Sequence, residues 1–152
     1  ICVVGFSTGA ALSLVHAAAA PPGLAGLVAC STPIRFRNRN MRFVPFVHGA
    51  NQLIEWVSSH EGVMPFRPND PEHPHINYRH MPVRGLYELT RMVAHVKDRL
   101  PAVRCPTLIL QGDDDHVVDP RSAQQVYERI ASIDKTLHYI PTRRHGIVNE
   151  NI

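Results

Sequence analysis

The order of apolar segments in this chain of 152 residues predicts an α/β protein: a parallel sheet with helices on both faces. Three observations carry that expectation. Short apolar runs, rich in valine, leucine and isoleucine, alternate with longer stretches of helical period. Pro21-Pro22-Gly23, Pro101 and Pro106 punctuate the alternation. The opening run Ile1-Cys2-Val3-Val4 leads straight into Gly5-Phe6-Ser7-Thr8-Gly9 and then an alanine-rich segment, which reads as strand, tight turn and helix.

In that turn the glycines have a mechanical role. A Cβ at Gly5 or Gly9 is expected to collide with the neighbouring strand or helix. Ser7, at the apex, is expected to hold a strained positive-φ conformation that exposes its oxygen. The helix after it, through Ala10, Ala11, Leu12, Leu14, Val15 and Ala17 to Ala20, stops at Pro21-Pro22-Gly23. Taken alone, G-x-S-x-G also fits a plain βα turn with Ser7 as helix N-cap.

Leu24 to Ala29 is expected to be a short buried strand. From residue 33 to about 80 the composition changes to Arg, Asn, His and Pro, with Phe36, Phe43, Phe46, Trp56 and Phe66 among them. Pro65, Pro68, Pro71 and Pro74 recur every third residue and forbid a continuous helix. So long a segment between two strands of one domain reads as a functional insertion, a cap with one helix near Val47 to Ser58. The expected division is core over 1–32, cap over 33–80 and core over 81–152.

Pro82 is placed in the first turn of the next helix, where proline is tolerated. Leu86, Leu89, Val93 and Val96 give that helix one apolar face, and it ends before Pro101. Cys105 to Gly112 is the next strand. Asp119-Pro120 opens a helix with Asp as N-cap and Pro behind it. Thr136 to Ile140 is the last strand.

A hydrophobic fraction of 44% describes a soluble globular chain. No apolar run approaches the roughly 18 to 20 residues needed to cross a bilayer, so no stable membrane insertion is expected. The chain opens inside a strand with no basic leader, and no signal peptide is expected. The net charge of +3 is modest. Arg35, Arg37, Arg39 and Arg42 cluster, as do Arg143 and Arg144, but no aromatics interleave with them as in nucleic-acid binders. These clusters read as solvated surface, with a docking patch for an anionic group as the alternative. Of the three cysteines, Cys2 and Cys30 fall in strands expected to be buried, and no C-x-x-C occurs. A reduced, cytoplasmic protein is the expectation.

A serine becomes a useful nucleophile only beside a histidine base that is itself oriented by a carboxylate. The loop Gly112-Asp113-Asp114-Asp115-His116-Val117-Val118-Asp119 holds the candidate acids. Asp115 is favoured, because it stands just before Val117-Val118, an apolar pair that would pin the loop onto the sheet. Asp119 is occupied as a cap, and Asp113 and Asp114 come early in the turn; all three stay as alternatives. His145, in the loop after the last strand, is the candidate base. His16, His95 and His138 lie in helices or strands, and His48, His60, His73, His75 and His80 belong to the cap. His73-Pro74-His75 with His80 lacks a carboxylate or cysteine at ligand spacing, so no metal site is expected.

GFSTG (5–9), PTLILQGDDDHVVDP (106–120) and RRHG (143–146) resemble the nucleophile elbow, acid loop and histidine loop of α/β-hydrolases. The stretch MPVRGLYELTRMVAHVKDRLPAVRCPTLILQGDDD (81–115) is similar to the helix–strand–acid segment of small bacterial carboxylesterases and monoacylglycerol lipases. The resemblance implies an α/β-hydrolase fold with Ser7 as nucleophile, Asp115 as acid, His145 as base and the Thr8 N–H in the oxyanion hole. It also implies further strands before the elbow strand, one of whose loops would donate a second oxyanion N–H. The chain is then expected to be the C-terminal half of a longer hydrolase, with an unpaired apolar strand edge and poor solubility or activity by itself. Two residues depart from the group: Ala10 where glycine is common, and Thr8 where a bulkier apolar residue is frequent. The implied activity is hydrolysis of carboxylic esters through an acyl-enzyme, with Phe43, Phe46 and Trp56 lining an acyl pocket or merely packing the cap. The implied partner is a small ester or lipid-like substrate, with no nucleic acid, no metal and no organic cofactor. The same triad also serves thioesterases, C–C hydrolases and acyltransferases, and some such scaffolds only bind ligands. Oligomeric state is left open.

Overall fold

The computed structural model describes residues 1–60, 62–68 and 78–147. In chain order the elements are β1 (Cys2–Phe6), α1 (Thr8–Ala18), β2 (Gly26–Cys30), a 3₁₀ turn (Arg39–Phe43), α2 (Val44–Val57), β3 (Phe66–Pro68), β4 (His80–Pro82), α3 (Val83–Arg99), a second 3₁₀ turn (Leu100–Ala102), β5 (Thr107–Gly112), α4 (Arg121–Arg129) and β6 (Lys135–Ile140). They form two units, Ile1–Arg37 with Val93–Ile152, and Asn38–Met92.

In the first unit four strands pair in the order β1-β2-β5-β6, all parallel. Parallel neighbours need crossovers, and α1 supplies one between β1 and β2 and α4 another between β5 and β6. Ala10, Ala11, Leu14 and Ala17 are the buried stripe of α1, which packs on β1 and β2. Small alanines let the helix lie close to the sheet. β2 is apolar and mostly buried along its length because strands flank it on both sides. It starts later than the sequence suggests, at Gly26: the Leu24 N–H still donates back to the Pro21 carbonyl, and the Ala25 N–H reaches the Ile1 carbonyl just ahead of the strand.

Two further expectations, at Cys2 and Gly9, are corrected. Cys2 is exposed, because among the described residues β1 pairs only with β2 and lies at the sheet's edge beside exposed Ile1 and Val4. Cys30 is buried, and burial pushes its thiol pKa up. Gly9 has open space: a Cβ there meets no atom within 4 Å. The close approach falls on Gly5 alone, where a Cβ would stand 2.6 Å from Ala10 Cα and 2.7 Å from the Gly9 carbonyl oxygen.

The second unit holds the Arg39–Phe43 turn, α2 and the antiparallel pair β3–β4. Its core is Val44, Val83 and Leu86, with Met41, Val47 and Tyr87 packed against it. The expected cap helix is α2, begun earlier, at Val44. Asn51 clamps the segment ahead of β3 with both ends of its amide: Nδ2 donates to the Met64 carbonyl and Oδ1 accepts from the Met64 N–H. Pro82 closes β4 rather than opening α3, because it pairs with Phe66 while the Val83 N–H donates to the Pro65 carbonyl. Pro71, Pro74, His73 and His75 lie outside the described residues. Among those described, no cluster of His, Cys, Asp and Glu could hold a metal, and no helix is long and apolar enough to cross a membrane.

Gly5→Ala should break the elbow, because the clash is with backbone that cannot step aside. A cost of about 1–3 kcal/mol or more is expected. Gly9→Ala should cost much less. Thermal melts of the two variants beside the parent check the contrast; equal losses would contradict it.

Candidate active site

Ser7 sits between β1 and α1 with φ 53° and ψ −121°. That left-handed backbone disfavours any residue with a side chain and is held by its neighbours. The Ser7 N–H donates to the Cys30 carbonyl at 2.8 Å, tying the elbow to the end of β2, and the Ser7 carbonyl accepts from the N–H groups of Ala10 and Ala11. The Thr8 and Gly9 N–H groups open α1, so neither has an acceptor within the helix.

The loop after β5 is laced to the loop after β6. The Asp113 N–H donates to the Ile140 carbonyl, the Asp114 N–H to that of Thr142, and the Thr142 N–H returns a bond to Asp113 Oδ1. Gly112 makes this possible, since a Cβ there would come within 3.1 Å of the Thr142 carbonyl oxygen. On the other flank, Phe36 bridges Val118, the Arg37 N–H donates to the Val117 carbonyl, and the Asp119 N–H donates to that of Arg35.

The aspartates of this loop divide by partner. Asp113 caps Thr142. Asp114 bridges Arg37 and Arg143 at the surface. Asp119 binds the Arg121 side chain and accepts from the Arg121 N–H. The Arg121 hydrogen bond, helped by its charge and that of Arg35, holds the Asp119 carboxyl at about 2 against the opposing effect of burial. Asp115 is 0% exposed. Its Oδ1 accepts from the Val117 and Val118 N–H groups at 2.8 and 2.9 Å. Its Oδ2 lies 2.8 Å from His145 Nδ1. Burial pushes the Asp115 carboxyl up, but the His145 hydrogen bond, the Val118 and Val117 N–H groups and the attraction of His145 together bring it below the ordinary value.

His145 completes the arrangement, with Nε2 2.8 Å from Ser7 Oγ. Because the Asp115 carboxylate can only accept, Nδ1 carries the proton and Nε2 accepts from the serine hydroxyl. Phe6 packs its ring 5.1 Å from the imidazole, and Ser31 Oγ donates to the His145 carbonyl at 3.3 Å. Ser31 is buried with φ 48°, a second strained serine, at the end of β2.

The sequence reading did not single out Gln111. It is 0% exposed at the end of β5, and its Nε2 donates to Asp115 Oδ2 at 3.1 Å and to the Gly112 carbonyl at 3.3 Å. Its Oε1 has no hydrogen-bond partner among the described residues, a burial that costs about 1–3 kcal/mol. A lone amide closing the strand Thr107-Leu108-Ile109-Leu110 was the available signal.

Of the other candidates, Thr8 is at the elbow, while Phe43, Phe46 and Trp56 belong to the second unit. Phe43 borders an apolar cavity of about 350 Å³ with Val44, Val47, Met64 and Leu86. Phe46 and Trp56 do not line it and are 76% and 83% exposed.

A parallel sheet with an elbow serine at the end of one strand, and a buried aspartate and a histidine on loops after later strands, defines an α/β-hydrolase. All of residues 1–152 match the family described as Serine aminopeptidase, S33, and the chain belongs to that family. It is 28% identical over 137 residues to a thermostable monoacylglycerol lipase of Bacillus sp. (strain H-257), covering 90% of this chain and 51% of the relative. It is 20% identical to a carboxylesterase of Bacillus subtilis (strain 168), covering 97% of this chain and 56% of that protein. A solved structure from work on LipS and LipT, two metagenome-derived lipolytic enzymes, shares its fold with a TM-score of 0.73 at 24% identity, over 91% of this chain and 54% of that one. The chain thus spans about half the length of the curated relatives it matches.

Asp119 allows a test with a defined sign. Its folded pKa of about 2 lies below the ordinary 3.8, so its carboxylate stabilises the fold above the unfolded value. That stabilisation is lost as pH falls from 3.8 toward 2. Asp119→Asn should therefore be less stable than the parent at neutral pH and converge on it near pH 2 in denaturant melts taken across that range. A constant difference at every pH would contradict this.

Proposed function

We propose that this chain carries the nucleophile, base and acid of a serine hydrolase that cleaves carboxylic esters, of the carboxylesterase or monoacylglycerol lipase kind. The observation that carries the reading is one imidazole within 2.8 Å of both the Ser7 hydroxyl and the Asp115 carboxylate. The names of the curated relatives agree with it.

In this reading Ser7 Oγ attacks the ester carbonyl as His145 Nε2 takes its proton. Asp115 keeps Nδ1–H in place and stabilises the imidazolium that forms. The Thr8 N–H donates to the oxyanion at the positive end of α1. His145 then returns the proton to the leaving alcohol, and water admitted to the acyl-enzyme repeats the cycle to release the acid. Phe43, Phe46 and Trp56 are assigned contact with a lipid-like acyl chain, on the apolar lining of the Phe43 cavity and the exposure of the other two.

Fluorophosphonate labelling of the full-length protein that contains this chain, read by peptide mass spectrometry, tests this directly. The adduct should fall on Ser7 and disappear in Ser7→Ala. Asp115→Asn should still fold yet lose on the order of 10⁴-fold in kcat toward a chromogenic p-nitrophenyl ester. A folded protein that takes no label would overturn the hydrolase reading.

A further inference from the structure

We infer that Gln111 is a positioning residue for the Asp115–His145 pair, which rests on the hydrolase reading above. The Asp115 carboxylate accepts four hydrogen bonds, and they are unequally supplied. Oδ1 is held by two backbone N–H groups, from Val117 and Val118. Oδ2 has the moving part of the machinery, His145 Nδ1, and one fixed donor, Gln111 Nε2. Rotation of the carboxyl about Cβ–Cγ is blocked at one oxygen by the loop backbone and at the other by Gln111.

The amide's orientation is set by chemistry. Both neighbours of Nε2, the Gly112 carbonyl and Asp115 Oδ2, are acceptors. Turning the amide over would set Oε1 against two oxygens. The end that gains nothing is the acceptor end, which lies buried without a partner among the described residues. A residue kept for packing alone would carry no such unmatched oxygen; leucine or methionine would fill the same space. The donor end accounts for the amide, since a hydrogen bond to a buried charge is stronger than one between neutral groups. Gln111 touches neither Ser7 nor His145 within hydrogen-bond distance, so it acts on the base through the acid.

Gln111→Leu and Gln111→Met remove the donor and the unmatched acceptor together while keeping side-chain bulk. Both should melt no lower than the parent. Their kcat toward a p-nitrophenyl ester should fall roughly 10- to 100-fold, the range for loss of one charge-assisted hydrogen bond, with KM little changed. The rate of fluorophosphonate labelling at Ser7 should fall in parallel. The low-field proton resonance of His145 Nδ1–H should shift, which reports the pair without catalysis. In an Asp115→Asn background Gln111→Leu should have almost no further effect, because the carboxylate it positions is gone. A parent that labels at Ser7 together with variants that keep its kcat would overturn the Gln111 inference alone. So would an equal loss in both backgrounds. A parent that does not label at all would remove the hydrolase reading and this one with it.

Discussion

The 2.8 Å bond from His145 Nδ1 to Asp115 Oδ2 joins two loops that the chain separates by a helix and a strand, and the site depends on it. An imidazole has one N–H to give when neutral. Giving it to a buried carboxylate leaves the other nitrogen free to face Ser7. Holding that bond requires the loops after β5 and β6 to stay in register, which the Asp113–Ile140, Asp114–Thr142 and Thr142–Asp113 bonds secure without side chains from the site itself. The parallel sheet is what makes the arrangement possible: β1, β5 and β6 all present their carboxyl ends to the same side.

The same loop shows how one short acidic stretch can serve several purposes. Asp113 and Asp119 finish backbone turns, Asp114 ties two arginines at the surface, and Asp115 turns inward. The difference is made by Val117 and Val118, whose N–H groups point at Asp115 while Val118 is fully buried. Four like charges in so short a span would repel one another. Their positions among Arg35, Arg37, Arg121 and Arg143 offset that.

Much of this could be read from residue order. Apolar runs, helical spacing and turn residues located β1, α1, β2, α3, β5, α4 and β6, even though β1 and β6 bury little of their length. The placement of Asp115 before an apolar pair distinguished it from its neighbours. What could not be read has physical reasons. The exposure of Cys2 depends on which strands flank β1, a property of the assembled sheet, and the openness at Gly9 on what packs against the first turn of α1. β3 and β4 are each three residues long and each ends in proline, too short and too irregular to leave a period. Gln111 sits at the end of a strand where an amide would usually mean a solvent-facing position, and only the arrangement of the loops shows what it touches.

The backbone of Ser7 carries one more consequence. A residue with a side chain, held at φ 53°, costs more than glycine would in the same place. Stability and the proposed chemistry therefore pull in opposite directions at this residue. A laboratory selection that rewarded heat resistance and ignored turnover would drift toward glycine at this position. Under the function proposed above, the resulting protein would fold correctly yet lack its nucleophile, so heat resistance would be a poor proxy for function when variants of this chain are screened.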